Sequence, residues 1–94
     1  MRKPFYTSAA VRDLKEILEY IAKDKPNAAQ AWVEKIEQKC LLIASAPEIG
    51  EAQPHLGIGV RATFVGRYVI FHRHVDRRPE ILRVIPGDRE IQSL

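Results

Sequence analysis

Arginine and histidine crowd the second part of this chain at spacings suited to anion and proton chemistry. Arg61, Arg67, Arg73, Arg83 and Arg89 recur through residues 58–94, a stretch with seven arginines, no lysine and four acids. Residues 1–57 carry six lysines, two arginines and eight acids, which cancel, so the whole formal excess of +3 lies in the second part. A guanidinium is a fixed planar fork of donors matched to phosphate and carboxylate, whereas a lysine ammonium is a mobile point charge. The pattern points to a directed basic surface. His72 and His74, at i and i+2, project from one face of a strand, where a metal or a proton-transfer step would find them. No third convergent ligand accompanies them, so they are read as imidazoles on a half-exposed strand, with no metal and no cofactor called for. Cys40 is the only cysteine; it can form no internal disulfide and reads as a buried thiol on a helix. "GIG" (57–59) lacks the third glycine and the preceding strand of a dinucleotide fingerprint and reads as a turn.

These residues need elements to hold them. Ninety-four residues are expected to form one domain over 1–94, because a split would leave neither half enough interior. "KPFYT" (3–7) reads as a short strand, with Thr7 and Ser8 offering N-cap oxygens to a helix. Ala10, Leu14, Ile17, Leu18 and Ile21 then recur at helical spacing, with Asp13, Glu16 and Glu19 placed among the outward charges. "DKPN" is a turn. A second helix runs from Pro26 or Asn27 to about Ser45, burying Ala28 or Ala29, Trp32, Ile36, Cys40 and Ile43. Residues 45–59 read as a connecting loop. Three strand-like runs follow, at 60–65, 67–75 and 79–85, joined by hairpin turns at Gly66 and "DRRP".

Strand, two helices, three strands is an α+β order, and its economical packing puts the helical hairpin on one face of an antiparallel sheet. The central run has apolar residues on both faces, so one face is expected to be covered and the other used for binding. Arg83, amid "ILRVI", needs a carboxylate such as Glu80 or Asp88 if it points inward, since an unpaired buried charge is costly. Arg61, Arg67 and Arg73 are expected to be exposed. No apolar run approaches the ~20 residues that span a bilayer, and "MRKPFYTSAAV" has no long apolar segment behind its basic residues; a cytoplasmic location with no membrane contact is the expectation.

"DLKEILEYIA", "PEIG", "VRATFVGRYVIFHRH" and "EILRVIPGDREI", in this order, resemble the RelE/ParE superfamily of bacterial toxins over nearly the whole chain. The resemblance implies a toxin of a type II toxin–antitoxin pair, held inactive in a hetero-oligomer by a cognate, ParD-like antitoxin. It leaves two activities. A ParE-like toxin poisons DNA gyrase without being an enzyme, and here would use Arg61, Arg67, Arg73, Arg83 and Arg89 as its target-binding face. A RelE-like toxin is a ribosome-dependent mRNA endoribonuclease, and here would set Arg61 and Arg83 on phosphate with His72 or Tyr68 handling the proton. Nuclease members commonly carry a Tyr or His just beyond the terminal arginine, and "EIQSL" (90–94) has neither. "EAQPHLGIG" also lacks the basic cluster found before the Arg61 position. Both absences favour the ParE branch. Pro86 and Asp88 depart from the His-Gly-Ala-Arg common among members.

Overall fold

The computed structural model describes residues 3–89 and 91–94. In chain order the elements are β1 (Phe5–Tyr6), α1 (Ser8–Ala22), α2 (Pro26–Ser45), β2 (Glu51–Ala52), a 3-10 turn (Pro54–Leu56), β3 (Arg61–Val65), β4 (Tyr68–Val75) and β5 (Arg78–Pro86). The helix starts are local in origin. Thr7 has extended backbone, and its hydroxyl accepts the Ala10 N–H at 3.1 Å, satisfying a donor that the first helical turn leaves unpaired. Pro26 opens α2, where its missing N–H costs nothing.

The five strands form one sheet in the order β1-β5-β4-β3-β2, with β1 parallel to β5 and the other neighbours antiparallel. This is the expected α+β architecture with one strand more, because β2 lies inside the stretch read as loop. Two exposed residues carry no alternation for a pattern to detect. The β3–β4 turn places Gly66 at φ +56, and a Cβ there would come within 2.6 Å of the Trp32 ring. In the β4–β5 turn Asp76 and Arg77 both have positive φ, 51° and 66°, as a two-residue hairpin with the primed twist requires.

α1 and α2 bury Ala10, Ile17, Ile36, Cys40 and Ile43 against Tyr68, Ile70, Ile81 and Val84. Trp32 stands edge-on to Tyr68, with centroids 5.9 Å apart, so it serves as a core anchor. The sheet's other face differs from expectation. Val60, Ala62, Val69, Phe71, Leu82 and Ile85 are buried there as a second cluster, with Leu56 and Ile91 packed on it. Each large side chain so covered contributes about 1.5–3 kcal/mol, enough to fold the 3-10 turn and the C-terminal segment back over a face that was expected to be free. Among the described residues no helix is long and apolar enough to cross a membrane.

Candidate functional site

A carboxylate on α1 organises the open edge of β5. β1 has only two residues, paired with Glu80 and Ile81, so among the described residues β5 has no strand neighbour on that side beyond Ile81. Thr7 continues the edge: its N–H donates to the Ile81 carbonyl at 3.1 Å and its hydroxyl to the Leu82 carbonyl at 2.8 Å. Asp13 follows. Its carboxylate accepts the Val84 N–H at 2.9 Å and a two-point grip from Arg83, Nε to Oδ2 at 2.7 Å and Nη2 to Oδ1 at 3.0 Å. Asp13 is 6% exposed, a correction to its place among the outward charges. The signal lay in its spacing: Asp13 is i+3 from Ala10 and i−4 from Ile17, squarely on the buried stripe. Arg83 pairs with neither Glu80 nor Asp88. Hydrogen bonding to Asp13 raises its pKa above the ordinary value, so the guanidinium stays charged where it sits.

The other arginines are held in different ways. Arg73 pairs with Glu80, its cross-strand neighbour, at 3.1 Å. Arg61 donates to the Gly50 carbonyl at 2.9 Å. Arg67 and Arg89 are exposed. Their backbones are tied together, because the Gly87 N–H donates to the Arg67 carbonyl at 2.7 Å and the Arg89 N–H to the Pro86 carbonyl at 3.1 Å. A Cβ at position 87 would lie 3.1 Å from that Arg67 oxygen, so glycine lets the two segments approach. Both arginines line a groove of about 410 Å³ that is also lined by Ile17, Tyr20, Tyr68 and Val84 and by the acidic Glu16 and Asp88. The five arginines therefore do not share one face: Arg67 and Arg89 border this groove, Arg73 and Arg83 a second one, and Arg61 lies at the start of β3 beside β2.

His72 is fully buried, not half-exposed, with its Nε2 2.7 Å from the Thr63 hydroxyl. Burial first, then His74 and Arg61, pushes its pKa down to about 4, so the ring is neutral near pH 7. Tyr68 is 3% exposed beneath Trp32 and stands four residues along β4 from His72, roughly 13 Å on an extended strand. Arg61 is the cross-strand partner of His72, while Arg83 is in register with Phe71 on the opposite face. The set proposed for RNA cleavage, Arg61, Arg83, His72 and Tyr68, is thus spread over both sides of the sheet. Cys40 is buried, and its thiol is pushed up to about 11 by that burial despite a hydrogen bond with Tyr6.

This arrangement of a helical hairpin on a five-stranded sheet has known relatives. The family model described as the ParE toxin of the type II toxin–antitoxin system parDE matches residues 5–91. The chain belongs to the ParE toxin family. Its fold is likewise similar to that of a solved structure described as the chromosomal ParDE TA system from P. aeruginosa, with a TM-score of 0.80 at 21% identity over 94% of this chain and 98% of that one. No curated protein matches the sequence. In this ParE family member the Asp13–Arg83 grip fixes α1 on β5, and the Gly87–Arg67 bond fixes the terminal arginine beside the β3–β4 turn.

Proposed function

We propose that this ParE family protein is the toxin of a type II pair that acts in the cytoplasm by binding and poisoning DNA gyrase, and that a cognate antitoxin neutralises it. The observation that carries the reading is the exposed Arg67–Arg89 pair, anchored by the Gly87 N–H bond at the mouth of the first groove. Two planar cations held on a rigid scaffold suit a phosphate or carboxylate on a large partner. The buried, dispersed His72 and Tyr68 weigh against proton transfer to and from an RNA. Arg61, Arg73 and Arg83, each engaged by a carbonyl or carboxylate within the chain, support the scaffold and supply secondary contacts. The reading uses no cofactor.

The antitoxin contact is assigned to apolar side chains that the fold leaves outside. Tyr20 is 65% exposed beside the first groove, and Val11, Leu41 and Leu42 are exposed on the helices. An amphipathic helix of the antitoxin would cover such side chains. Controlled expression tests the target. Filamentation, DNA-damage signalling and gyrase-dependent DNA cleavage with intact mRNA are expected; rapid mRNA cutting on ribosomes would replace this reading with the endoribonuclease one.

A further inference from the structure

Phe64 stands opposite Val69 in the β3–β4 ladder and, by strand alternation from Ala62, belongs to the sheet face away from the helices. Unlike Ala62 and Val69, which are buried there, it is 55% exposed. It lines a third groove, of about 370 Å³, together with Gly66, Arg67, Gly87 and Asp88. A Cβ at position 87 would lie 3.7 Å from Phe64 Cε1 and 3.1 Å from the Arg67 carbonyl oxygen. The bare backbone of Gly87 thus joins the ring to the segment that carries Asp88 and Arg89. Arg67 lies over the Tyr68 ring, 5.9 Å from its centroid, and among the described residues it has no carboxylate partner. Its guanidinium is oriented by the ring, and its N–H donors are left for a ligand.

We infer that Phe64 is a stacking platform for one unpaired base of a DNA strand whose flanking phosphates rest on Arg67 and Arg89. The inference rests on reading that arginine pair as the part that meets the target, and deepens it by naming DNA as what the pair touches. The composition of the groove selects the occupant. Of the five described residues that line it, Phe64 is the one large apolar side chain, whereas an apolar anchor from a protein partner needs a desolvated pocket closed by surrounding contacts. A base needs a flat ring against one face and a cation for the adjoining phosphate. Both are present: glycines flank the ring in the groove, and the two arginines against Asp88 leave one positive charge in excess. A base offers its face to a side chain when it is out of the duplex stack, so the strand is single at this point.

The test is an NMR titration of the ¹⁵N-labelled full chain with single-stranded hexathymidylate, set beside an abasic strand of the same length and charge. The thymidylate strand is expected to shift the backbone signals of Phe64 and Gly87 and the Nε–H signals of Arg67 and Arg89, and to bind about tenfold tighter than the abasic one, the worth of one stacked base. Phe64→Leu, at a position exposed enough to leave folding intact, should erase that difference, and Phe64→Trp should keep it. Two phosphates on a single strand predict a slope of about −1.4 in log affinity against log salt, falling to about −0.7 in Arg67→Ala. Equal affinity for the two strands, a preference for bases that survives Phe64→Leu, no binding of either strand, or tighter binding of the matching oligoribonucleotide would each overturn the inference. Gyrase is absent from this titration: strand binding by a protein without effect on gyrase refutes the proposed function alone, and gyrase poisoning by a protein that ignores the base refutes this inference alone.

Discussion

Replacing Asp13 by alanine removes an interaction on which helix placement depends, and its cost follows from the geometry. The change leaves the Val84 N–H without its 2.9 Å acceptor and strips Arg83 of two contacts at 2.7 and 3.0 Å. A buried N–H without a partner costs about 1–3 kcal/mol. Breaking a fully buried ion pair costs about 3–5 kcal/mol, but the Arg83 side chain is 26% exposed, so water recovers part of that charge. A total of about 3 kcal/mol results, a large share of the ~5–15 kcal/mol that stabilises a typical domain. Thermal unfolding followed by circular dichroism should show a fall of roughly 12–24 °C for a chain of this size. Asp13→Asn keeps an acceptor for Val84 and should lose about half as much. A double-mutant cycle with Arg83→Met isolates the pair, and a coupling energy below about 0.5 kcal/mol would refute the claim that Asp13 and Arg83 act together.

Three further outcomes follow from the same contacts. The folded-state pKa of His72 lies at about 4, below its ordinary 6.5, so its stabilising contribution is complete above the unfolded value and is lost as pH falls toward the folded one; about 2 kcal/mol should disappear between about pH 7 and about pH 5. Denaturant midpoints across that range read the loss, and His72→Gln should flatten the slope; an unchanged slope contradicts the burial argument. Thr7→Ala removes both the α1 cap and the donor to the Leu82 carbonyl and should cost about 2 kcal/mol, seen as a lower urea midpoint at constant slope. Gly66→Ala forces a Cβ into positive φ and against the Trp32 ring; a loss of about 2 kcal/mol or more is expected, with a changed Trp32 fluorescence maximum.

The helices and long strands were legible because each is amphipathic or bounded by its own punctuation. Thr7 and Pro26 mark two starts, Gly66 one turn, and the alternation of β4 separates Val69 and Phe71 from Tyr68, Ile70 and His72 as the structure does. What escaped the pattern is what distant parts of the chain supply. β2 exists because Glu51 and Ala52 meet Arg61 and Ala62, not through any preference of their own. The partner of Arg83 lies 70 positions away on α1, whereas Glu80, the nearer candidate, is drawn to Arg73 by cross-strand register. His72 looked half-exposed because an imidazole on a strand ordinarily reaches water; here it is fully buried with its Nε2 against the Thr63 hydroxyl. The second sheet face looked free because Leu56 and Ile91, which cover it, sit in segments without periodicity. The pairing of Arg67 with Arg89 likewise depends on the single hydrogen bond from Gly87, which no spacing announces.

The central claim is that Arg67 and Arg89 together engage the target. Gyrase-dependent DNA cleavage, measured with purified gyrase and this protein beside its Arg67→Ala/Arg89→Ala variant, tests it most directly. The account predicts gyrase-dependent cleavage with the unaltered chain and at least a hundredfold loss with the variant, since two charge-assisted contacts of about 1.5–3 kcal/mol each are removed at exposed positions where the thermal transition should hardly move. Full cleavage by a stably folded variant, or no cleavage by the unaltered protein alongside cut mRNA on ribosomes, would contradict it.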